Sequence, residues 1–485
     1  MLTLPARQRR TTSALLALLS FYVSTAGAAS PVQAWITTGD QARLLSREAD
    51  VQLDKAASAD KGADKGAAVI EIDPATRYQE IAGFGAAITD ASAYLIQQRM
   101  NPARREALMR ELFGREGAGI GLSFTRLTIG ASDFSRSHYS FDDMPPGQQD
   151  PQLTRFSIAP QRDTVLPVVK SALAINPQLK VMASPWSAPG WMKTSDSLVK
   201  GTLKPEVFDA FARYLNRYVD AMKAEGVPIS ALTLQNEPHF EPDNYPGMRV
   251  DPMKRAAFIG GHLGPLLARA NPGTAILDWD HNWDEPESPA IVLSDPQAAK
   301  YVSGVAWHCY GGDVRAMGRL HDLFPSKDTW FTECSGGRWS PDWAKNLQYF
   351  TRTLVIDTTR GWARGVLLWN LALDENDSPH LGGCKDCRGV VTIDSRSGAV
   401  TRNVEYYALA HASRFVRPGA WRIGSSEGDG TLPNVAFRNR DGSMALLVAN
   451  GTAAAREIVV RVEGQGFRYT MPAASVASFT WQGTR

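Results

Sequence analysis

The chain is poor in the features that would assign it to several large functional classes. Its eight histidines include no His-x-His pair and no His-Glu-x-x-His, the spacings that align metal ligands on one strand or helix face. No Walker-type phosphate loop occurs. Only four cysteines are present, and the single Cys-x-x-Cys, Cys384 to Cys387, lacks the second ligand pair a zinc site requires. Lys and Arg number 52 against 50 Asp and Glu, a formal charge of +2 with no basic stripe, so nucleic-acid binding gains no support. No later segment reaches the roughly 18 uninterrupted apolar residues of a membrane-spanning helix. Gly424-Ser-Ser-Glu-Gly428 fits the serine-hydrolase pattern Gly-x-Ser-x-Gly, but it lies among short strand-like runs with no strand-to-helix elbow, so the match is chance.

What is present is ordinary globular stock with a surplus of tryptophan. Hydrophobic residues make up 44% of 485, enough for one large domain and a smaller one. Several of the thirteen tryptophans fall at the ends of apolar runs, where an indole face can stack on a sugar ring. The amino terminus has the three parts of an export signal: Arg7, Arg9 and Arg10, then the apolar stretch 14–23, then Ala26-Gly27-Ala28. Residues 1–28 are therefore expected to be removed, and the protein to be secreted or periplasmic. In that compartment Cys384 and Cys387 are expected to form a local disulfide, while Cys309 and Cys334 are expected to be buried, unpaired thiols.

Residues 29–77 contain short strand-like runs and a polar loop from Asp54 to Ala68. From residue 78, β-like runs alternate with amphipathic helical stretches such as 205–225, whose Phe208, Phe211, Leu215, Tyr218 and Met222 recur at helical spacing. Eight strand candidates follow in order: 81–88, 122–129, 180–185, 231–235, 275–280, 304–310, 329–333 and 365–370. Parallel strands need helical crossovers, so the pattern predicts an α/β fold, a (β/α)8 TIM barrel over 78–414. After 415 the runs shorten and alternate, predicting an antiparallel β-sandwich over 415–485 completed by strands from the amino-terminal segment.

Two of these strands end in glutamate. Glu237 follows the fourth run, in Gln235-Asn-Glu-Pro238, and Glu333 closes the seventh, in Phe331-Thr-Glu333. The carboxyl ends of barrel strands are where active sites form, and strands four and seven lie nearly opposite each other. Two facing carboxylates are the equipment of a glycosidase. Arg126 of the second strand is placed to point into the same mouth and hold a carboxylate ionised.

Five ordered motifs sharpen this reading. Gly83-Phe-Gly-Ala-Ala-Ile-Thr-Asp90, Pro185-Trp-Ser-Ala-Pro-Gly-Trp-Met-Lys193, Gln235-Asn-Glu-Pro238, Phe331-Thr-Glu333 and Leu368-Trp-Asn-Leu-Ala-Leu373 together resemble glycoside hydrolase family 30, the glucosylceramidase-like retaining β-glycosidases. The resemblance implies that Glu237 is the acid/base and Glu333 the nucleophile. It implies that Tyr310 donates a hydrogen bond to the nucleophile and that Asn236 reaches the sugar 2-hydroxyl. Asp90, Trp186 and Trp369 match positions that hold the non-reducing sugar. His308 stays open between a ligand contact and a satisfied barrel histidine. No cofactor or metal is implied, and the expected partner is a β-linked glucoside: an oligosaccharide, a glucan or a glycolipid. The loop Gly382-Gly-Cys-Lys-Asp-Cys-Arg388 departs from the vertebrate lysosomal members; it is expected to border the aglycone side and to favour β-glucans, including β-1,6-linked ones, over ceramide. A β-xylosidase, β-fucosidase or endo-glycanase of the same family, and a non-catalytic carbohydrate-binding barrel, are the rival expectations.

Overall fold

A computed structural model describes residues 1–3, 31–55, 66–427 and 430–483; the export-signal reading and most of the polar loop fall outside them. Eight strands close into one parallel barrel: Gly83–Ala87, Phe124–Ile129, Lys180–Pro185, Ala231–Thr233, Ala275–Asn282, Val302–His308, Asp328–Glu333 and Ala363–Asn370. They are numbered one to eight below, and they are the eight runs expected from sequence. Each is buried along nearly its whole length because helices cover the outside while side chains fill the inside. Phe124, Met182, Ala231, Leu277, Ala306 and Leu367 form a packed cluster inside the barrel. Strands one and two approach so closely that a Cβ at Gly85 would fall 1.9 Å from the Phe124 carbonyl oxygen, so only glycine fits there. Outside, the helix Phe208–Ala224 buries Phe208, Phe211, Leu215, Tyr218, Val219 and Met222 along one face, as its spacing predicts. Truncating a ring such as Phe211 to alanine would cost about 3–5 kcal/mol.

The second unit is a β-sandwich with one core. Its strands run in the order Pro31–Thr38, Ser475–Gln482, Ser443–Asn450, Asn434–Arg438, Trp421–Ser425, Ala68–Glu80, Arg456–Val462 and Gln465–Met471. The thirteen-residue strand Ala68–Glu80 belongs to both faces: Ala68–Ile72 pairs in parallel with Arg456–Val462, and its later part pairs antiparallel with Trp421–Ser425. Ile70, Leu446, Val460, Phe467 and Phe479 meet between the faces. Glu80 is followed almost at once by barrel strand one, so the sandwich hands the chain directly to the barrel.

Between the units lies the helix Val404–Ser413. Its buried His411 bonds through Nδ1 to Ser478 Oγ and through Nε2 to Thr37 Oγ1, both at 2.8 Å. Those partners sit on two sandwich strands, and burial pushes the imidazole down to about 3.

The cysteines differ from expectation in one respect. Cys384 and Cys387 are joined as expected, but Cys309 and Cys334 are also a disulfide rather than free thiols. The reason is register. Strands six and seven are parallel neighbours with His308 opposite Glu333, so the next residue on each strand falls side by side, with a Cα–Cα distance of 5.4 Å. Among the described residues no helix is long and apolar enough to cross a membrane.

Candidate active site

The carboxyl ends of the strands surround a cavity of about 530 Å³ whose lining includes Asp133, Trp186, Asn236, Glu237, Glu333 and Trp369. Strands four and seven deliver the two glutamates as the pattern predicts. Glu237 lies just past strand four with φ 46°, an uncommon left-handed backbone for a non-glycine residue, held by its N–H donating to the Asp280 carbonyl at 3.0 Å. A carboxylate oxygen of Glu237, one of Glu333 and a nitrogen of His308 all lie within 4.8 Å of one another. That spacing belongs to a retaining carboxylate pair, since an inverting pair stands about 6.5–9.5 Å apart to admit water.

Arg126, fully buried at the centre of strand two, organises the floor. It donates to Glu333 at 2.5 Å, to Asn236 Oδ1 at 2.7 Å and to Asp280 at 2.7 Å. Its guanidinium also lies 4.7 Å from the Trp186 ring centroid and 5.8 Å from that of Trp369; these two indoles stack at 4.9 Å. Tyr310 reaches in from the rim to donate its hydroxyl hydrogen to Glu333 at 3.0 Å. Glu333 thus receives two direct donors that favour its ionised form.

His308 is no mere filler. Its Nδ1 meets Glu237 and its Nε2 meets Asp280, each at 3.0 Å. Burial works to lower its pKa, yet the surrounding carboxylates Glu333, Asp280 and Glu237 raise it to about 9, so the ring carries a proton at neutral pH. Burial pushes Glu333 above the usual carboxylate range, with Glu237 adding to the push and His308 and Arg126 opposing it. Burial would raise Glu237 too, but the His308 hydrogen bond and the nearby cations bring it below that range. The three groups titrate as a set. In the free pocket the proton that an acid catalyst needs therefore resides at the His308–Glu237 contact.

Two acidic residues of this site escaped the sequence reading. Asp280, fully buried, accepts hydrogen bonds from Arg126, Ser184, Thr233 and Thr332; burial opposes its charge, but Arg126, His308 and Ser184 hold it ionised. Asp133 lines the cavity from the loop after strand two and is pushed up to about 8 by burial and by the charges of Glu333 and Glu237. It takes the place expected of Asp90. The Asp90 carboxylate instead turns to the Tyr139 hydroxyl at 2.8 Å and to Thr164, outside the cavity lining. The signal for Asp133 was available, since it lies four residues past the end of strand two, just as Glu237 lies four past the end of strand four.

The disulfide loop lines the cavity through Gly383, Cys384 and Cys387. Leu381 donates its N–H to the Asp133 carbonyl at 2.7 Å, and Cys384 and Cys387 pack with Trp186 and Trp369. Gly383, at φ 65°, presses so closely on Asp133 that a Cβ would lie 2.4 Å from its carboxylate. The loop also meets the segment that follows Glu237: the Gly383 N–H donates to Asn244 Oδ1 at 3.4 Å and Tyr245 packs on the same cluster as the two cysteines, so it bridges the Asp133 side and the Glu237 side of the mouth.

Comparison with known proteins agrees with this geometry. The description of the glycosyl hydrolase family 30 TIM-barrel domain matches residues 81–416, and that of the family 30 beta sandwich domain matches residues 419–479. The endo-1,6-beta-D-glucanase neg1 of Aspergillus fumigatus is 34% identical over 429 residues, covering 83% of this chain and 85% of that protein. The lysosomal acid glucosylceramidase of Mus musculus is 30% identical over 445 residues, covering 85% and 83%. Among solved structures, the endo-β1,6-glucanase BT3312 superposes with a TM-score of 0.85 at 33% identity, over 94% of this chain and all of its own.

Proposed function

The chain belongs to glycosyl hydrolase family 30 and is a retaining β-glycoside hydrolase, and from that premise we propose that it cleaves β-1,6-linked glucan, with Glu237 as acid/base and Glu333 as nucleophile. One observation carries the catalytic assignment: oxygens of the two carboxylates lie within 4.8 Å of each other in a single cavity. Glu333 attacks the anomeric carbon while Glu237 gives its proton to the departing oxygen, leaving a glycosyl ester on Glu333. Water then attacks the same carbon, loses its proton to Glu237, and frees Glu333.

The other side chains support these steps. Arg126 and Tyr310 hold Glu333 ionised and aimed. His308 keeps a proton at Glu237 Oε1, and Asp280 keeps His308 charged. Asn236 commits its oxygen to Arg126, which leaves its NH2 to donate to the sugar 2-oxygen. Trp369 floors the sugar, and Asp133 accepts hydrogen bonds from its hydroxyls. The β-1,6 preference is supported by the endo-1,6-β-glucanases among the relatives and by the disulfide loop behind Asp133. Glucosylceramide is a second reading, supported by the mouse relative. The amino-terminal export pattern and two disulfides support a location outside the cytoplasm.

Product analysis on β-1,6-glucan, β-1,3-glucan and glucosylceramide decides the substrate; preferential release from either of the latter two rejects the β-1,6 reading. Glu333→Gln is expected to lose turnover by orders of magnitude while keeping its fold, and a 2-fluoroglucosyl probe should label Glu333 in the unaltered enzyme. Labelling elsewhere would reassign the nucleophile.

A further inference from the structure

Strands six and seven, with the residues just past them, supply His308, Tyr310 and Glu333 to the site. Their ladder runs from Gly304 opposite Asp328 to Trp307 opposite Phe331, then slips by one residue so that His308 faces Glu333. Thr332 is the residue left over. Its hydroxyl donates to Asp280 and Glu333 beside it bonds to Arg126, so two consecutive side chains both enter the barrel mouth. A regular strand cannot do this, because neighbouring side chains point to opposite faces. The slip that aims Glu333 therefore also interrupts the pairing at the site itself.

The Cys309–Cys334 disulfide stands immediately beyond that slip. The two ends it joins are not equally secure. Cys334 is 1% exposed, and its carbonyl accepts the Trp369 N–H at 2.8 Å, which fixes it to strand eight. Tyr310 follows Cys309 in a loop, and its ring is 47% exposed. The Tyr310 N–H donates to Asn282 Oδ1, and the Gly311 carbonyl accepts the Trp283 N–H, each at 3.0 Å. Those bonds tie the loop to the end of strand five; the disulfide ties it to strand seven. A ring closes as a result. Tyr310, Cys309, Cys334 and Glu333 are joined in that order by a peptide bond, the S–S bond and a second peptide bond, and the Tyr310 hydroxyl donating to Glu333 at 3.0 Å completes the circuit.

We propose that Cys309 and Cys334 are positioning residues of the active site, whose bond holds the Tyr310 phenol against the nucleophile Glu333. This rests on the nucleophile assignment above. A half-exposed tyrosine on an untethered loop gives up rotamer and backbone freedom each time it makes such a contact, and a crosslink removes much of that freedom in advance. What is held is one of the two direct donors that keep Glu333 ionised. Neither cysteine lines the substrate cavity; Cys309 faces a separate groove of about 890 Å³, so the bond acts through Tyr310 and not on the sugar. The other charged groups facing Glu333 are held elsewhere: Arg126 and Asp133 by strand two and its loop, Glu237 and Asp280 by strands four and five. His308 is anchored by its own bonds to Glu237 and Asp280. Opening the disulfide frees none of them.

The test measures kcat/KM against pH on the substrate that product analysis selects. It compares the unaltered enzyme, a Cys309→Ala, Cys334→Ala double variant, Tyr310→Phe, and all three changes combined. The cysteine pair and Tyr310→Phe are each expected to lower kcat/KM about tenfold, the rate equivalent of one hydrogen bond to a charged group. Each should also move the acid limb to higher pH, because Glu333 loses a donor to its ionised form. The combined variant is expected to fall no more than about twofold below Tyr310→Phe, since both lesions remove the same contact. Losses that multiply to about a hundredfold overturn the positioning role. So does an acid limb that the cysteine changes leave in place, or a Tyr310→Phe enzyme with unaltered kcat/KM. The 2-fluoroglucosyl label separates the two assignments: label away from Glu333 overturns both, whereas label on Glu333 with multiplying losses overturns this proposal alone. Where the double cysteine variant does not fold, the bond is opened in folded enzyme with a phosphine reductant, in a Cys384→Ser, Cys387→Ser background, and thiol alkylation counts the opened sites. The same fall and the same limb shift are expected there. A bond that opens only on global unfolding is a structural staple, and that result overturns the proposal.

Discussion

Strand five has the least regular backbone around the pocket. Trp279 and Asp280 carry φ of 76° and 57°, and the ladder to strand six slips at the same place. Side chains of a regular strand alternate faces, so His281 should point outward if Asp280 points in. The left-handed pair breaks that rule, and Asp280, His281 and Asn282 all turn to the interior or the mouth. That is why neither Asp280 nor His281 could be recognised by counting along the chain. The glutamates could be, because Glu333 closes a parallel strand and Glu237 ends the apolar run that continues from one. At this scale Glu237→Ala is expected to lose about 10²–10⁴-fold in rate on glucan. The loss should be smaller on aryl glucosides with good leaving groups and partly reversed by azide, read as the appearance of a glycosyl azide product. The pH profile should be bell-shaped. Glu333 must be ionised, and its pKa is raised, so activity falls on acidification from a point above pH 4.5. The proton shared by His308 and Glu237 must be retained, so activity falls again as pH climbs toward about 9. Replacing His308 with Gln is expected to pull the alkaline limb to lower pH, as measured by kcat against pH.

Among the elements, the barrel strands were legible because each is a short apolar run closed by polar residues, a pattern that long helices cannot imitate. The Ala68–Glu80 strand was less so, since Pro74 and a run of charged and polar residues interrupt its alternation. The Cys309–Cys334 bond depends on a register between strands that no single run displays. Loops were hardest: the segment 380–388 was visible as an oddity, but which wall it backs is decided by contacts with Asp133 and Asn244, distant in sequence. Removing its disulfide in a Cys384→Ser, Cys387→Ser double variant is expected to loosen the support behind Asp133. KM for glucan should rise several-fold with kcat much less affected, the signature of lost ground-state binding. An unchanged KM would mean that the glycine contacts alone hold the wall.

For the molecule as a whole, the seam between barrel and sandwich contains a pH-dependent contact. His411 is neutral and doubly bonded there, with a pKa near 3 against about 6.5 in the unfolded chain. A lowered histidine pKa means the unfolded state binds the extra proton first, so stability is lost as pH falls from 6.5 toward 3 and is unaffected by this group above 6.5. The slope from this one residue is at most about 1.4 kcal/mol per pH unit. Thermal melting of a His411→Gln variant is expected to show a shallower decline over that window than the unaltered protein, whatever its stability at neutral pH.

The strand shared by both sandwich faces has a bearing on engineering. Because Ala68–Glu80 is stitched to Arg456–Val462 at one end and to Trp421–Ser425 at the other before it feeds the barrel, no single cut separates a catalytic cassette from its appendage. A graft that transplants the barrel alone tears this strand from its partners and leaves raw hydrogen-bonding edges at both junctions. Any chimera meant to borrow the catalytic machinery should carry the amino-terminal ribbon and the carboxyl-terminal strands together as one inheritance.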